Sequence, residues 1–352
     1  MNVLVLDFWF GEYHRRINSK YVEIISDIAE KVYIANNRGF YKVSRFPENV
    51  YYIDIDIQDA SASKIKNCIN GVANIAKVYN KVKFVLKEID IIYVMGYDVV
   101  TFSLFPFLFP TDKPVYLVQH QHIVKVQNGY KKVLFKTYMN KVRHLLLEEE
   151  FKKNFIKSTG VNPDRTFVVH HPLFEIKEQK VNKDNYIIGI STNNDENIVK
   201  EIIDRQKEEG FLDDSGVKLI LRSRTYEYED FALKVYNKFL SEKEFEELYE
   251  NAIAVLTIVR RDFGDRMSGT VMDGFSSKKK IIGIDVPIIK LYEKMNPEIV
   301  FSFHNIDELP VLIEKVKNEK VDIKVYDKFL ERFSDDTIKN QLRAAFLNLG
   351  DL

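Results

Sequence analysis

Residues 253–283 read IAVLTIVRRDFGDRMSGTVMDGFSSKKKIIG. The opening run, Ile253 to Val259, has the length and β-branched content of a strand buried on both faces. A turn follows that holds Arg260, Arg261 and Arg266, with Asp262 and Asp265 between them. From Ser268 or Gly269 the apolar residues recur at helical spacing, and KIIGID then returns to a short apolar run. Strand, charged turn, helix and strand in that order form a βαβ unit, which belongs to a parallel sheet.

The same alternation extends outward in both directions. Upstream lie VLVLDFW, KVYIANN, VYYIDID, DIIYVMG, PVYLVQH, RHLLLE and RTFVVHH, with helical segments over Lys20–Glu30 and Lys64–Lys87 among them. After the polar stretch VVHHPLFEIKEQKVNKDN the pattern restarts with YIIGIST, a helix from Glu196 to Glu209, VKLILRS, LKVYNK and a helix from Glu242 to Asn251. This predicts an α/β protein of two Rossmann-like, doubly wound domains facing a cleft. The expected division is 1–175, 176–325 and a closing helical segment, 326–352, free to pack back on the first domain. Ligands of such sheets bind beyond the carboxyl ends of the strands, so the turn at Arg260–Ser268 lies where a ligand belongs.

A chain of 352 residues exceeds one ordinary core, and 45% hydrophobic residues are enough to fill two. The formal net charge is zero, which gives no whole-chain attraction to nucleic acid. A single cysteine, Cys68, excludes an intramolecular disulfide framework and a cysteine-based zinc site. The start, MNVLVLDFWFGEYHRR, lacks the charged lead and cleavage site of a signal peptide and reads as a first strand. The apolar stretch VVTFSLFPFLFP is too short and too proline-rich to span a bilayer. These features fit a cytoplasmic protein, soluble or peripheral at a membrane.

The charged turn has a chemical reading. Free amides in the first turn of a helix, with its dipole, favour an anion. Arginines add forked donors suited to phosphate oxygens. Gly269 allows close backbone approach, and Asp273, one turn into the helix, is placed to accept hydrogen bonds from a diol such as a ribose. Diphosphate plus sugar hydroxyls describes a nucleotide-sugar. A solvated loop ahead of an ordinary helix start has the same composition.

The order of strand, charged loop and SGTVMDGFSSKKKIIGIDVP resembles the donor-binding signature of the GT-B glycosyltransferases, especially the retaining family 4. In that signature two acidic residues are separated by seven others, as Asp265 and Asp273 are here. SEKEFEELYENAIAVLTIV is similar to the acidic helix and strand that precede it, and RTFVVHHPL to the passage into the linker. The family carries glutamates where this chain has two aspartates. Its arginine-lysine pair after the first strand of the second domain is absent, with only Lys200 in STNNDENIVK, so Arg222, Arg224 or Arg266 is expected to supply the diphosphate charge.

The resemblance implies a hexosyltransferase-type enzyme, retaining in outcome, that moves a sugar from a nucleotide-sugar to a saccharide or lipid-linked acceptor in polysaccharide or glycoconjugate synthesis. It implies no cofactor and no metal. Its roles fall on Asp265 for the donor sugar, on Ser268, Gly269 and Thr270 for the diphosphate, and on Asp273 for the ribose. It also implies a histidine at the end of a first-domain strand, His120, with His122 second, and a glycine near the donor, Gly11. An inverting enzyme would take a carboxylate base, Glu12 or Asp98. The alternatives are a nucleotide-sugar epimerase of the same fold and a catalytically silent GT-B subunit that binds a partner.

The absence of G-x-G-x-x-G argues against a dinucleotide-dependent dehydrogenase. If the strand ending at VYLVQHQH stays extended, His120 and His122 share a face, and a histidine suits proton exchange near neutral pH. His14, Arg15 and Arg16 suit an anionic acceptor or plain solvation. From Lys113 to Leu147 there is no Asp or Glu, yet Lys125, Lys131, Lys132, Lys136, Lys141 and Arg143 occur. With Val126, Tyr130, Val133, Leu134 and Tyr138 at helical spacing, this segment is expected to be an amphipathic helix, either packed on the core or facing acceptor and anionic membrane.

Overall fold

The computed structural model describes residues 1–8, 15–37, 40–41, 46–57, 63–120, 122–127, 129–173 and 185–347. Two compact units emerge. One comprises Met1–Pro172 with Arg332–Leu352, the other Leu173–Glu331. Residues 326–331, grouped with the closing segment in the sequence reading, therefore belong to the second unit.

The first unit is built on β1 (Asn2–Asp7), β2 (Lys31–Asn36), β3 (Val50–Asp54), β4 (Ile91–Gly96), β5 (Val115–Val118), β6 (Arg143–Leu146) and β7 (Thr166–Val168). These pair in the order β3-β2-β1-β4-β5-β6-β7, all parallel. The second holds β8 (Tyr186–Gly189), β9 (Lys218–Arg222), β10 (Tyr228–Glu229), β11 (Leu233–Tyr236), β12 (Ala254–Thr257), β13 (Lys280–Ile284) and β14 (Val300–Phe303). Its order is β10-β11-β9-β8-β12-β13-β14, parallel except for β10 against β11. Each unit thus adds strands first to one side of its first strand and then to the other. The switch points, β1/β4 and β8/β12, are where such sheets bind ligands.

The apolar runs form strands because both faces of each sheet are covered. Ile187, Ile188, Val255, Leu256, Ile281 and Ile282 are all fully buried, each contributing about 1.5–3 kcal/mol of hydrophobic stabilisation. The helix Glu196–Glu209 starts at Asp195, whose side chain accepts from the amide of Asn197 at 3.0 Å, and buries Val199, Ile202, Ile203 and Gln206 on one face. A reciprocal capping box between Ser241 and Glu244 starts Glu242–Asn251.

The closing helix, Asp335–Leu347, buries Ile338, Leu342, Ala345 and Phe346 in the first unit. Phe346 meets Tyr116 and Tyr93 edge-on, with ring centroids 5.1 and 6.2 Å away. Arg332 donates to the buried Glu148 at 2.6 Å, and Lys339 pairs with Asp27 at 2.6 Å.

The basic segment differs from expectation. It is two short helices, His122–Lys125 and Gly129–Lys136, because the chain turns at Gly129 with φ of 67°. Val126 and Tyr138 reach the core, whereas Tyr130 and Val133 point to solvent. One continuous amphipathic face would have buried all four.

Candidate functional site

The strand ends at the second switch point are tied by one buried side chain. Asn194 donates through Nδ2 to the carbonyls of Gly189 (2.6 Å) and Arg222 (2.8 Å), the ends of β8 and β9. Its backbone pairs with Val259 beyond β12, and the amide of Asp195 donates to Ile258 at 2.7 Å. Three strand ends are thereby held in fixed register around the charged turn.

Beyond β12 the turn bends at Gly264 (φ 65°, ψ −156°), a conformation open to glycine, and enters the helix Gly269–Ser276. Gly274 lets this helix lie close on the sheet, since a β-carbon there would fall 2.4 Å from Ile281 Cδ1 and 3.3 Å from Val255 Cγ2. Ser268 occupies the N-cap position, but its side chain makes no capping hydrogen bond. The space where a Gly269 side chain would stand is open, with no atom within 4 Å. Ser268, Thr270 and Asp265 are buried, and Asp273 is half-buried one turn further on.

The three arginines separate into two classes. Arg260 pairs with Asp262 at 2.8 Å, and Arg261 with Asp285 at 2.9 Å. Among the described residues Arg266 has no ion-pair partner. Its guanidinium lies over the Phe263 ring, 4.4 Å from the centroid, and its Nε donates to the Phe263 carbonyl. Burial pulls its pKa below the ordinary arginine value, only partly offset by Asp262. A half-buried guanidinium of this kind gains from an incoming anion.

The two arginines at the end of β9 and just after it are engaged within the second unit. Arg222 is buried beneath Phe239, 4.1 Å from the ring centroid, and donates from Nε to the Lys238 carbonyl. Arg224 is exposed and pairs with Glu196 at 3.4 Å. Partial burial works against the charge of Glu196, but bonds from Ser223 and Arg224 outweigh it and hold the carboxyl below its usual range. Phe239 itself shows a large exposed face.

Asn194, Phe239 and an Asp285–His304 pair are the polar or exposed features here that sequence reasoning missed. His304 and Asp285 meet at 2.8 Å beyond β14 and β13. Burial pushes the Asp285 carboxyl up, but the bond to His304 and the charges of His304 and Arg261 prevail and lower it. Each of these groups owes its setting to strands distant in sequence.

In the first unit His120 follows β5 and lies edge-on to His171, ring centroids 5.8 Å apart. His122 already belongs to the next helix, so the two do not share an extended face. Asp98 caps the helix Val99–Phe102, its carboxylate accepting from the amides of Val100 (2.9 Å) and Thr101 (3.1 Å). Lys125 and Lys136 are exposed, Lys131 is half-buried, and Lys132 donates to the Ser158 carbonyl at 3.0 Å. Gly11, Glu12 and His14 lie outside the described residues.

No protein-family model matches the chain, and no curated protein sequence matches it. Solved structures do. Anabaena HepE in complex with UDP-glucose matches over 99% of this chain and 100% of that one, with 13% identity and a TM-score of 0.65. The fold is GT-B. Arabidopsis thaliana UGT89C1 complexed with quercetin matches over 98% and 99% of the two chains (12% identity, TM-score 0.60). The UDP-GlcNAc 2-epimerase of Methanocaldococcus jannaschii matches over 94% and 99% (13% identity, TM-score 0.55). At such identities the likeness is one of fold, and chemistry must be argued from the residues themselves.

Proposed function

We propose that this protein is a glycosyltransferase that moves a sugar, retaining its anomeric configuration, from a nucleotide-sugar to a saccharide or lipid-linked acceptor. The observation that carries the reading is the half-buried Arg266, without an ion pair among the described residues, beside an N-cap whose serine does not cap its helix. Glycosyl transfer passes through an oxocarbenium-like state as a diphosphate leaves. Arg266 and the first-turn amides at Ser268–Thr270 stabilise that leaving charge, the work a divalent cation does elsewhere. Asp273 takes the ribose hydroxyls and Asp265 the donor sugar. The exposed Phe239 face, backed by Arg222, offers a flat apolar surface to the nucleobase. His120 is the histidine proposed for proton or hydroxyl contacts.

With UDP-glucose bound in HepE and quercetin in UGT89C1, relatives in fold accommodate both a donor and an acceptor. A lipid-linked acceptor makes the enzyme a peripheral one, at the cytoplasmic face of a membrane, in cell-surface polysaccharide synthesis. Among the described residues no helix is long and apolar enough to cross a membrane.

Thermal shift with UDP, GDP, ADP and CMP, followed by hydrolysis of the matching nucleotide-sugar, tests the reading. At least one nucleotide should raise the melting temperature, and Arg266→Ala should weaken that response about tenfold or more in affinity. No response to any nucleotide would overturn it. The likeness to a 2-epimerase keeps a second reading, in which the same nucleotide site serves epimerisation at the sugar. Product analysis with a labelled nucleotide-sugar separates them, since only the epimerase returns a nucleotide-bound isomer.

A further inference from the structure

Three segments of the first unit are adjacent in space though far apart in sequence. The helix Lys64–Val82 packs against Val99–Phe102 and Phe105–Leu108, and Gly129–Lys136 also packs against Val99–Phe102. In a chain with 52 acidic and 52 basic residues, none of the positions 64–82, 99–108 and 122–136 is an Asp or Glu. The same positions hold eight lysines: 64, 66, 77, 81, 125, 131, 132 and 136. Lys66, Lys81, Lys125 and Lys136 are exposed.

These acid-free segments, directly preceded by Asp98 at 99–108, also carry large apolar side chains in water. Phe107 is 81% exposed and Ile65 75%, and Ile69, Leu104, Tyr130 and Val133 are exposed with them. Their neighbours show why they are not core. Phe105 stacks between Phe102 and Phe109, so the odd-numbered aromatic between them on the sequence, Phe107, turns outward. Tyr138 and Phe135 fill the space under the second helix, leaving Tyr130 and Val133 on its far side.

We infer that this surface docks on an anionic lipid bilayer, with the apolar side chains entering the headgroup boundary and the lysines meeting lipid phosphates. It rests on the glycosyltransferase reading in one respect, that it names where a lipid-linked acceptor is met. The charge pattern selects the occupant. A second copy docked face to face would set two lysine-rich sets of segments against each other. Nucleic acid would leave the isoleucines, Leu104 and Phe107 without an apolar partner. An anionic membrane satisfies both halves, since amphipathic surfaces bind by apolar burial plus attraction to acidic lipid.

Flotation of the full chain with phosphatidylglycerol–phosphatidylcholine vesicles, against pure phosphatidylcholine, tests the inference. Binding to the acidic vesicles should weaken with salt. It should fall about fivefold for each lysine removed in Lys66→Gln/Lys125→Gln, and about tenfold or more in Ile69→Ser/Phe107→Ser. The second variant should keep the wild-type melting temperature and nucleotide response, which shows that it folds. Absence of flotation at low salt, equal binding to both vesicle types, or full binding by Ile69→Ser/Phe107→Ser would overturn the inference. So would a dimer in sedimentation that the same variant dissolves. Loss of flotation with the nucleotide response intact removes the surface and leaves the glycosyltransferase reading standing; flotation without a nucleotide response does the reverse.

Discussion

The two units share a strand order around their first strands, and they diverge at the segment after the strand that first crosses to the other side, β4 in one and β12 in the other. In the first unit β4 leads into YDVVTFSLFPFLF, where Asp98 caps its helix with its own carboxylate. In the second β12 leads into VRRDFGDRMSG, where Ser268 leaves its helix uncapped and Arg266 has no ion pair among the described residues. One scaffold therefore carries an anion supplied by the chain itself and, at the matching place, a setting suited to an anion from outside. The Asp98 and Glu148 carboxylates of the first unit are met by donors of the chain itself, whereas Arg266 in the second meets no carboxylate among the described residues. Disturbing the first should cost stability, and disturbing the second should cost binding.

The sharpest break is Arg332→Leu. It leaves the buried Glu148 carboxylate without its 2.6 Å partner and should cost about 3–5 kcal/mol in urea unfolding of the full chain. If the loss stays below about 1 kcal/mol, the claim that the first unit depends on closed polar pairs fails.

Acid should distinguish the units next. His144 is buried between Gln119 and the Met139 carbonyl, each at 2.8 Å, and burial lowers its pKa to about 4. His170 is likewise lowered by burial to about 4. Both fold as the neutral form, so above the ordinary histidine value of about 6.5 their contribution is complete. As pH falls from about 6.5 to 4 the unfolded chain binds protons that the folded chain refuses, and stability drops. The loss levels off below the folded pKa. For His144 the drop is about 3 kcal/mol. His144→Asn, whose Oδ1 can replace Nδ1 as acceptor for Gln119 and which carries no titrating group, should flatten the profile between pH 7 and 4, read by hydrogen exchange in β6. An unchanged slope would place the acid sensitivity elsewhere.

In the second unit Arg266→Ala should behave in the opposite way. Nucleotide affinity should fall about tenfold to a hundredfold, while the urea midpoint without ligand moves little, because the side chain is only half-buried and makes no ion pair among the described residues. Isothermal titration alongside unfolding separates the two. A large loss of stability with unchanged affinity would make Arg266 a structural residue.

How much of this was legible beforehand depends on how local the cause is. The helices at about Glu196–Glu209 and Glu242–Asn251 are readable from their apolar spacing, and Asp195, Gly210 and the Ser241–Glu244 box mark their ends within the chain. The antiparallel β10 escaped because two residues carry no period. The broken basic helix escaped because apolar spacing ran on across Gly129, whose positive φ no periodicity records. The candidate site was half readable. The sequence places three arginines in one turn, but only folding brings Asp285 to Arg261 from 24 residues away and sets Arg266 over the Phe263 ring. Asn194 looks like any loop amide until β8, β9 and the end of β12 converge on it. The acid-free surface likewise joins helices whose lysines are separated along the chain by the strands β4 and β5.

The smallest effect isolates the comparison best, because it changes one atom set at each matching position. Asp98→Ala removes a carboxylate that accepts from two amides, at 2.9 and 3.1 Å, and should destabilise the first unit by about 1 kcal/mol. Ser268→Ala removes a hydroxyl that caps nothing, so the second unit should lose only a few tenths of a kcal/mol. Its cost should appear with nucleotide present, as a smaller thermal shift, if the hydroxyl joins the amides in meeting the diphosphate. Substituting Ser268→Asp sharpens the point further. An aspartate there would cap the helix as Asp98 does, stabilising the unliganded protein and placing a negative charge where the phosphate is proposed to sit. Stability should rise and nucleotide affinity fall in the same variant. If both rise together, the N-terminus of Gly269–Ser276 does not hold the diphosphate, and the two switch points differ in sequence without differing in task.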